Sequence, residues 1–433
     1  MPNPHREFEE ARRLLVRGVA EIKGGENKTA RRYLERMLNV PATRDQKADA
    51  YYWLSEIADT DAEKRDFLLS ALGYDLAHHR ARRSLAILDK RLDESEIIDP
   101  DRYVPDRIGE PQRRAGKRFE CPTCGSRMVY SADGNSLNCE HCTNRVNIEQ
   151  SDSIHEEEFV VGISTAKGHH TTKATQAFDC ESCGAVYILP PEVLSLTCPH
   201  CDSVYAILQP QLREMILPEG IIPFEINEKA AEGAVIHWGE SFGDVSGKFR
   251  LETLTGIYLP CWTFDVAGII KWTGYIEYQD SQTVSVNDRA TIYYDDVFVP
   301  GSKPEPRYFR ELLKEFRSAD IQPFDTKFTA NFLAESYQIS MSDAAIDARA
   351  LAYRTAKRDQ KEKSGLRKVQ SLQFYSDEIY LESYKLVLVP VWMGGMTSNG
   401  KRFEVLVNGK SGKVYMDPLS KDFRQWINKL FNR

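Results

Sequence analysis

Residues 5–92 carry apolar side chains at intervals of three and four positions, the spacing that places them on one face of an α-helix. The first such series runs from Phe8 to Ile22 and ends at Gly24-Gly25, a sequence that terminates helices. The predicted helices cover residues 8–22, 27–38, 45–57, 61–72 and 78–92. The N-terminal region is therefore predicted to be all-α.

Beyond residue 209 the spacing of apolar residues changes between the period of a strand and that of a helix. Asn399-Gly400 and Asn408-Gly409 are turn sequences that join antiparallel strands. Predicted strands cover residues 269–278, 289–299, 386–396, 402–407 and 413–416, and predicted helices cover residues 307–316 and 342–360. This pattern predicts an α+β domain over residues 209–420.

Two pairs of similar segments indicate that the α+β domain is internally duplicated. Residues 221–225 (IIPFE) are echoed by residues 321–325 (IQPFD), and residues 257–262 (IYLPCW) by residues 387–392 (VLVPVW). Proline is tolerated in a strand only at an edge, an end or a bulge, so the repeated Pro-x-Trp predicts a bent strand in each half. Chance similarity of the segments is the alternative.

Eight of the nine cysteines lie in four Cys-x-x-Cys pairs. Fourteen residues separate the two pairs within each half, whereas a much longer segment separates Cys142 from Cys180. Zn²⁺ prefers four thiolates at tetrahedral corners, and each Cys-x-x-Cys turn supplies two of them. The spacing predicts two consecutive zinc ribbons that bind two Zn²⁺ ions. The predicted ligands are Cys121, Cys124, Cys139, Cys142, Cys180, Cys183, Cys198 and Cys201.

Disulfides, an iron centre and redox-active dithiols are the other uses of paired cysteines. Disulfides need an oxidising compartment, and residues 1–13 are charged and lack the apolar segment of a secretion signal. A cytoplasmic location is therefore expected. Rubredoxin-like iron sites use similar turns at wider separations, and redox dithiols normally occur singly. Four thiolates leave no coordination position for water, so the predicted zinc is structural and not catalytic.

The net charge of −7 excludes a globally basic nucleic-acid binder, while a local basic patch remains compatible with it. Residues 93–118 are proline-containing and change from acidic to basic, which is typical of a linker. Their basic end adjoins the first ribbon and is a candidate contact for a nucleic-acid backbone; a solvated linker is the alternative. The basic residues are Arg113, Arg114, Lys117 and Arg118.

The C-terminal residues 421–433 predict an amphipathic helix, because Phe423, Trp426, Leu430 and their apolar neighbours share one face. A free helix of this length is marginal in water, so this face is expected to be buried. Burial against the α+β domain is favoured, and a protein partner or an anionic membrane surface are the alternatives. No apolar run approaches the roughly 18 to 20 residues of a membrane span.

The predicted organisation is multidomain. A helical region is followed by two small β ribbons, a duplicated α+β domain and a terminal helix. The boundaries are 1–92 for the helical domain, 93–118 for the linker, 119–150 for the first ribbon, 151–178 for a second linker, 179–208 for the second ribbon, 209–420 for the α+β domain and 421–433 for the helix.

Two resemblances extend this picture. The paired N-terminal helices resemble tetratricopeptide repeats, which form superhelical binding platforms; a plain helical bundle is the alternative. Residues 121–420 resemble bacterial proteins with transcription-factor-IIB-type zinc ribbons, some of which are labelled by homology to replication-restart helicases. The shared motifs are the ribbons, residues 256–265, residues 388–392 and residues 408–420. The resemblance implies an architecture, and the sequence has no phosphate-binding loop that would support a helicase.

No catalytic constellation is predicted. Asp295-Asp296 looks like a polymerase carboxylate pair, but adjacent residues of a strand point to opposite faces. Asp265 is expected at a strand end, and Cys261 is expected to be a buried apolar residue. The sequence predicts a non-catalytic zinc-ribbon adaptor that binds a protein partner through its N-terminal helices and, as a further option, nucleic acid. The alternative is an enzyme or ligand binder with a pocket between the halves of the α+β domain.

Overall fold

The structure is a computed structural model of the chain. It describes residues 8–99, 112–114, 116–132, 136–148, 154, 156–169, 176–179, 186–189, 193–197, 203–207, 216–241, 249–277, 283–302, 308–363, 369–398 and 401–416. The second set of four cysteines, Asn399-Gly400 and the C-terminal residues 421–433 lie outside the described residues.

The N-terminal region consists of helices, which confirms the all-α prediction for this part of the chain. The helices are α1 Glu9–Lys23, α2 Asn27–Leu38, α3 Arg44–Glu56, α4 Asp61–Tyr74 and α5 His79–Leu88. Local sequence fixes several ends. Thr43 and Gln46 form a capping box at the start of α3, and the Thr60 hydroxyl accepts a hydrogen bond from Glu63 N at the start of α4.

Consecutive helices pack as pairs, α1 against α2 and α3 against α4. The first pair is close because Gly18 faces Leu34, and a Cβ at Gly18 would lie 2.7 Å from Leu34 Cδ2. Arg31 of α2 and Glu63 of α4 form an ion pair at 2.6 Å that joins the two pairs. The two helix pairs therefore contact each other.

The rest of the described chain is built on strands. They are β1 Gln112–Arg114, β2 Gly116–Arg118, β3 Met128–Ser131, β4 Ser136–Cys139, β5 Arg145–Asn147, β6 Glu157–Glu158, β7 Gln176–Asp179, β8 Val186–Leu189, β9 Val193–Thr197, β10 Val204–Ile207, β11 Gly220–Ile221, β12 Phe249–Leu251, β13 Thr255–Glu277, β14 Thr283–Pro300, β15 Gln322–Pro323, β16 Leu333–Glu335, β17 Gln370–Ser398, β18 Lys401–Asn408 and β19 Val414–Met416. The helices of this part are α6 Phe159–Ser164, α7 Glu228–Ser241, α8 Phe309–Leu313 and α9 Met341–Lys363.

A large mixed sheet forms the centre of this part and confirms the α+β prediction. The long strands β14, β13, β17 and β18 lie side by side and antiparallel. β11 joins β17 and β16 joins β13, both in parallel pairing. The sheet also contains β9 and β10, which come from the region of the second cysteine set, and β2, which precedes the first set.

Helices cover the two faces of the sheet with different side chains. The alanines of α9, among them Ala344, Ala348 and Ala352, pack against Trp262 and Phe264 of β13. Small side chains let this helix approach the sheet closely. On the other face, α8 packs against a cluster that contains Leu259 and Cys261, and Cys261 is fully buried as predicted.

The two Pro-x-Trp segments have matching contacts. Tyr258 and Pro390 are cross-strand partners, so the segments pair with each other where β13 meets β17. Each proline carbonyl accepts a hydrogen bond from a glycine just past the end of the neighbouring strand: Gly301 N lies 2.9 Å from Pro260 O, and Gly409 N lies 2.9 Å from Pro390 O. The prolines thus lie inside continuous strands, where the neighbouring strand on one side ends.

The tryptophans of these segments also have matching partners. Trp262 Nε1 donates to Ile339 O at 2.8 Å, just before α9, and Trp392 Nε1 donates to Ile226 O at 3.3 Å, just before α7. By contrast, β15, from the predicted echo at residues 321–325, pairs antiparallel with β11. The two similar segments, residues 221–225 and 321–325, are therefore neighbours in the sheet.

Asp265 lies inside β13 and not at a strand end, which corrects the expectation from sequence. The register of β13 against both β14 and β17 shifts between Phe264 and Val266, so Asp265 is opposed by two residues on each neighbouring strand. The bulges therefore belong to β14 and β17, each of which has one extra residue there. Asp265 itself is a buried carboxyl group near the middle of the sheet.

Candidate metal centre

The four cysteines of the first predicted site converge at one end of a small three-stranded sheet of β3, β4 and β5. Cys121 and Cys124 lie on the turn before β3, which closes through hydrogen bonds from Gly125 N to Cys121 O and from Cys121 N to Ser126 O, both 2.8 Å. Gly125 has φ +71°, a conformation that glycine adopts without strain. The local sequence therefore builds the turn that presents both sulfurs.

The second pair occupies an equivalent turn after β4. Cys139 N donates to Asn144 O at 2.9 Å, and the amides of His141 and Cys142 lie 3.4 and 3.3 Å from Cys139 Sγ. Amides directed at a sulfur stabilise its thiolate form. The two turns face each other because β3 and β4 pair in register, with Met128 opposite Cys139.

The four sulfur atoms lie within 4.8 Å of one another. Cys121 Sγ is 3.5 Å from Cys142 Sγ, and Cys124 Sγ is 3.5 Å from Cys139 Sγ. A tetrahedral Zn²⁺ with bonds of about 2.3 Å requires sulfur separations of about 3.8 Å. The four thiols can therefore hold one metal ion with little movement.

The surroundings of Cys121 favour the ionised form of its thiol. Burial disfavours its thiolate, but hydrogen bonds from Asn144 Nδ2 and from neighbouring backbone amides outweigh this effect and lower its pKa to about 5. A metal binds the thiolate form, so the lowered pKa of Cys121 favours binding. At Cys142 a backbone hydrogen bond from Asn144 lowers the pKa, but hydrogen bonds to the sulfurs of Cys124 and Cys121 outweigh it and raise the pKa to about 12.

This small sheet is packed onto the large one. Met128, Tyr130 and Leu137 belong to the same buried cluster as Tyr258 and Trp392 of the large sheet. Tyr130 N donates to Ala330 O at 3.1 Å, and Tyr130 OH donates to Phe224 O at 3.3 Å. Correct folding of the cysteine turns is therefore linked to the core of the α+β part.

The second predicted site, Cys180, Cys183, Cys198 and Cys201, lies outside the described residues, but the strands around it are described. β7 and β8, which precede and follow the first of these pairs, are antiparallel partners. β9 and β10 have the same relation around the other pair. Each pair of cysteines therefore falls in the sequence between the strands of a hairpin.

The predicted basic cluster lies on two strands next to these hairpins. Arg113 and Arg114 are in β1, which pairs in parallel with β7. Lys117 and Arg118 are in β2, which pairs antiparallel with β10. The backbone of the basic segment therefore borders both hairpins of the second cysteine region and leads directly into the first metal centre.

A buried charged network lies in the middle of the sheet, and no local sequence pattern indicates that its members meet. Lys385 Nζ lies 2.6 Å from Asp296 Oδ1 and 2.6 Å from Glu156 Oε1. Asp265 accepts hydrogen bonds from Ser383 Oγ at 2.5 Å and from Asp296 N at 3.0 Å. These residues come from four separate segments of the chain, so only the tertiary structure brings them together.

A further acid, the half-buried Glu219, lies nearby. Burial raises its pKa to about 8, the negative charge of Glu157 adds to this effect, and a hydrogen bond from Leu386 N opposes it. Glu157 in turn contacts Tyr384 OH and Lys167. A carboxyl group with a raised pKa is a feature of functional sites as well as of structural networks.

The fold and the cysteine centre define a protein with a helical N-terminal region, a four-cysteine centre that can hold a metal ion and a large mixed sheet. The chain is similar in sequence to a protein of Bacillus subtilis (strain 168) named "Uncharacterized protein YdjG". The two sequences are 25% identical over 318 residues, which cover 69% of this chain and 89% of that protein. No protein-family profile matches the chain. No solved structure matches it.

Among the described residues, no helix is long and apolar enough to cross a membrane.

Proposed function

We propose that the protein is a non-catalytic zinc-ribbon adaptor that binds a protein partner through its N-terminal helices. The observation that carries the proposal is the convergence of four thiols within 4.8 Å. Four thiolates complete the tetrahedral sphere of Zn²⁺ and leave no position for a substrate or a water molecule. The ion in such a site stabilises a fold and does not perform chemistry.

The same proposal places a second zinc ion at Cys180, Cys183, Cys198 and Cys201. It is supported by the antiparallel pairing of β7 with β8 and of β9 with β10, because zinc ribbons present each cysteine pair on the turn of a hairpin. Both ions are structural in this account. Together they hold the segments that connect the helical region to the large sheet.

The helical region supports the adaptor role because it combines paired helices with a firm attachment to the sheet. Ile98 N donates to Ser164 O at 3.0 Å, and Arg91 forms an ion pair with Glu158. Exposed apolar side chains, among them Val16 on α1 and Leu69 on α4, provide contacts for a partner. The helices are thus held in place while part of their surface stays open.

Nucleic acid is a second partner in this proposal. Its support is the position of Arg113, Arg114, Lys117 and Arg118 beside both cysteine regions. Binding is expected to be weak, independent of sequence and steeply salt-dependent, because neutralised phosphates release counterions. Binding that persists unchanged when the four residues are replaced by serine would reject this part.

We also propose that the α+β part arose by internal duplication. Its support is the matched set of contacts at the two Pro-x-Trp segments and the parallel pairing of β11 with β17 and of β16 with β13. When the two halves are matched by these contacts, the segment from β16 to Ile339 corresponds to the segment from β11 to Ile226. This correspondence differs from the one that the sequence suggested, in which residues 221–225 match residues 321–325.

The adaptor proposal is tested by affinity purification of the tagged full-length chain from its native organism, with nuclease treatment of the eluate. A protein partner should remain after nuclease treatment and be lost in Val16→Ser or Leu69→Ser. Ile346→Ser is the matched control, since Ile346 is exposed but lies on α9 of the sheet region. Equal recovery from all these variants, or loss of every partner with nuclease, would contradict the proposal.

One observation favours the alternative, a ligand-binding site in the α+β part. A cavity of about 490 Å³ opens between the small three-stranded sheet and the large one, lined in part by Tyr130, Asn227, Phe332 and Trp392. Aromatic walls with a few polar groups are typical of small-molecule sites. A ligand of this cavity should change the fluorescence of Trp392, and Trp392→Phe should remove that signal.

A further inference from the structure

A cleft of about 420 Å³ lies where the helical region meets the large sheet. Its apolar wall comes from α4, α5 and the turn between them and includes Leu72, Leu76 and Leu85. The opposite wall is polar and comes from β13, β17 and the segment at β6. The polar residues that line the cleft are Arg82, Arg91, Glu156, Glu158, Asp265, Glu382 and Ser383.

The cleft is negatively charged. Four carboxylates and two guanidinium groups line it, which leaves a net charge of −2. The buried ion pair of Lys385 with Asp296 lies beneath it and adds no net charge. Because the cleft faces the apolar wall of α4 and α5, it matches a cation carried on an aliphatic chain.

Arg82 of the chain itself shows how the cleft can bind a cation on an aliphatic chain. The Arg82 guanidinium carbon lies 4.2 Å from the centre of the Tyr380 ring, and Arg82 Nη2 lies 3.9 Å from Glu382 Oε1. Arg82 Nε also donates to Leu76 O at 2.8 Å. The guanidinium is thus held by a ring face, a carboxylate and a backbone carbonyl.

Tyr293 is a second tyrosine with the same chemistry. Among the described residues, no guanidinium group is stacked on its ring. Tyr293 and Tyr380 are both cross-strand partners of Ala267, so the three side chains form one row on the same face of the sheet. The small Ala267 leaves a notch between the two rings, whose backbones are about 9.6 Å apart. Tyr293 is 60% exposed.

The electrostatic environment of Tyr293 is acidic. The charge of Asp265, with smaller contributions from burial and from Asp295, Glu382 and Glu156, raises the pKa of its hydroxyl. Three of these four carboxylates also line the cleft. An exposed aromatic ring in the negative field of nearby carboxylates attracts organic cations.

We propose that this cleft and the adjoining notch bind an arginine side chain of a basic peptide segment in a protein partner. Arginine fits better than lysine because its planar guanidinium stacks on a tyrosine ring while it donates to carboxylates at its edge. The apolar wall receives the aliphatic part of the side chain. This inference rests on the proposed adaptor function and states the chemistry of the partner.

The test is a calorimetric titration of the full-length, zinc-loaded protein with an acetylated and amidated Gly-Arg-Gly-Arg-Gly peptide. The control peptide carries citrulline, which keeps the shape of arginine without its charge. The arginine peptide should bind and the citrulline peptide should bind at least about tenfold more weakly, with affinity that falls as salt rises. Equal binding of the two peptides would overturn the proposal.

Substitutions locate the binding. Tyr293→Ala should weaken binding of the arginine peptide about fivefold, or about 1 kcal/mol, and Tyr293→Phe should restore it because the ring is kept. Tyr375→Ala is the matched control, since Tyr375 is an exposed tyrosine of the same sheet opposite Lys271. Equal losses in Tyr293→Ala and Tyr375→Ala would reject the site.

The titration needs no natural partner, so its failure is distinguishable from failure of the adaptor function. If the partner is captured through the helices but the arginine peptide does not bind, only the cleft assignment is overturned. If the peptide binds but no protein partner is captured, the cleft assignment stands and the adaptor function is rejected.

Discussion

Replacement of Lys385 by methionine tests the buried network most sharply. The side chains of Lys385 and Asp296 are 5% and 3% exposed, and their charged atoms are 2.6 Å apart. Lys385→Met keeps the length and apolar character of the side chain but leaves the Asp296 carboxylate buried without its cation. Breaking a buried ion pair from one side costs about 3 to 5 kcal/mol, so a destabilisation of this size is expected.

A double variant separates the lost attraction from the stranded charge. Lys385→Met with Asp296→Asn removes both charges, and it should recover most of the loss, since an uncharged pair of similar volume is often as stable as the ion pair. The matched control is Lys271→Met. Lys271 pairs with Glu378 on the same sheet, but the two side chains are 38% and 26% exposed, so a loss below about 1 kcal/mol is expected.

The assay is urea unfolding of zinc-loaded protein, followed by tryptophan fluorescence and circular dichroism, with coincident transitions as the criterion for comparing free energies of unfolding. The pKa of Lys385 is raised because its two carboxylates outweigh burial. Its stabilisation is therefore present below the ordinary lysine pKa and is lost as pH rises through the raised value. A cost of Lys385→Met no larger than that of Lys271→Met, or no recovery in the double variant, would refute the reasoning.

Two further predictions concern Glu219 and the start of α3. The Glu219 pKa is raised from 4.5 to about 8, so the folded state binds the proton more tightly and stability should fall as pH rises from 4.5 to about 8, by about 1.4 kcal/mol per pH unit for this group. Glu219→Gln should flatten this part of a plot of unfolding free energy against pH, and an unchanged slope would reject the assignment. Thr43→Ala removes the capping box of α3 and should cost about 1 kcal/mol in urea unfolding, whereas Thr43→Ser should cost less than half of that; equal costs would show that the hydroxyl is not the stabilising group.

The helices of the N-terminal region could be predicted closely because their signals are local. The α2 helix spans Asn27–Leu38, as the apolar spacing indicated, and Thr43 and Gln46 mark the start of α3 through hydrogen bonds between residues three positions apart. The first cysteine set could also be predicted from the sequence, since each turn is built from a few consecutive residues. In both cases the residues that interact are neighbours in the sequence.

The buried network and the cleft could not be predicted, because they depend on long-range pairing. Lys385 sits in an apolar stretch of β17, and nothing nearby in the sequence shows that Asp296 and Glu156 are its partners. The register shifts that set Asp265 opposite a bulge on each neighbouring strand arise only when β13 pairs with both β14 and β17. Pro260 predicts a strand edge, end or bulge, but not which one; β13 continues through Pro260 because β14 ends beside it, at Pro300.

The metal content of the full-length chain tests the central claim most directly. Elemental analysis of protein purified without added metal should give two zinc ions per chain, and Cys121→Ser with Cys139→Ser should give one, because the first site is then lost while the second is retained. One zinc ion per wild-type chain would contradict the two-site account. Bound iron with visible charge-transfer absorption would contradict the assignment of zinc.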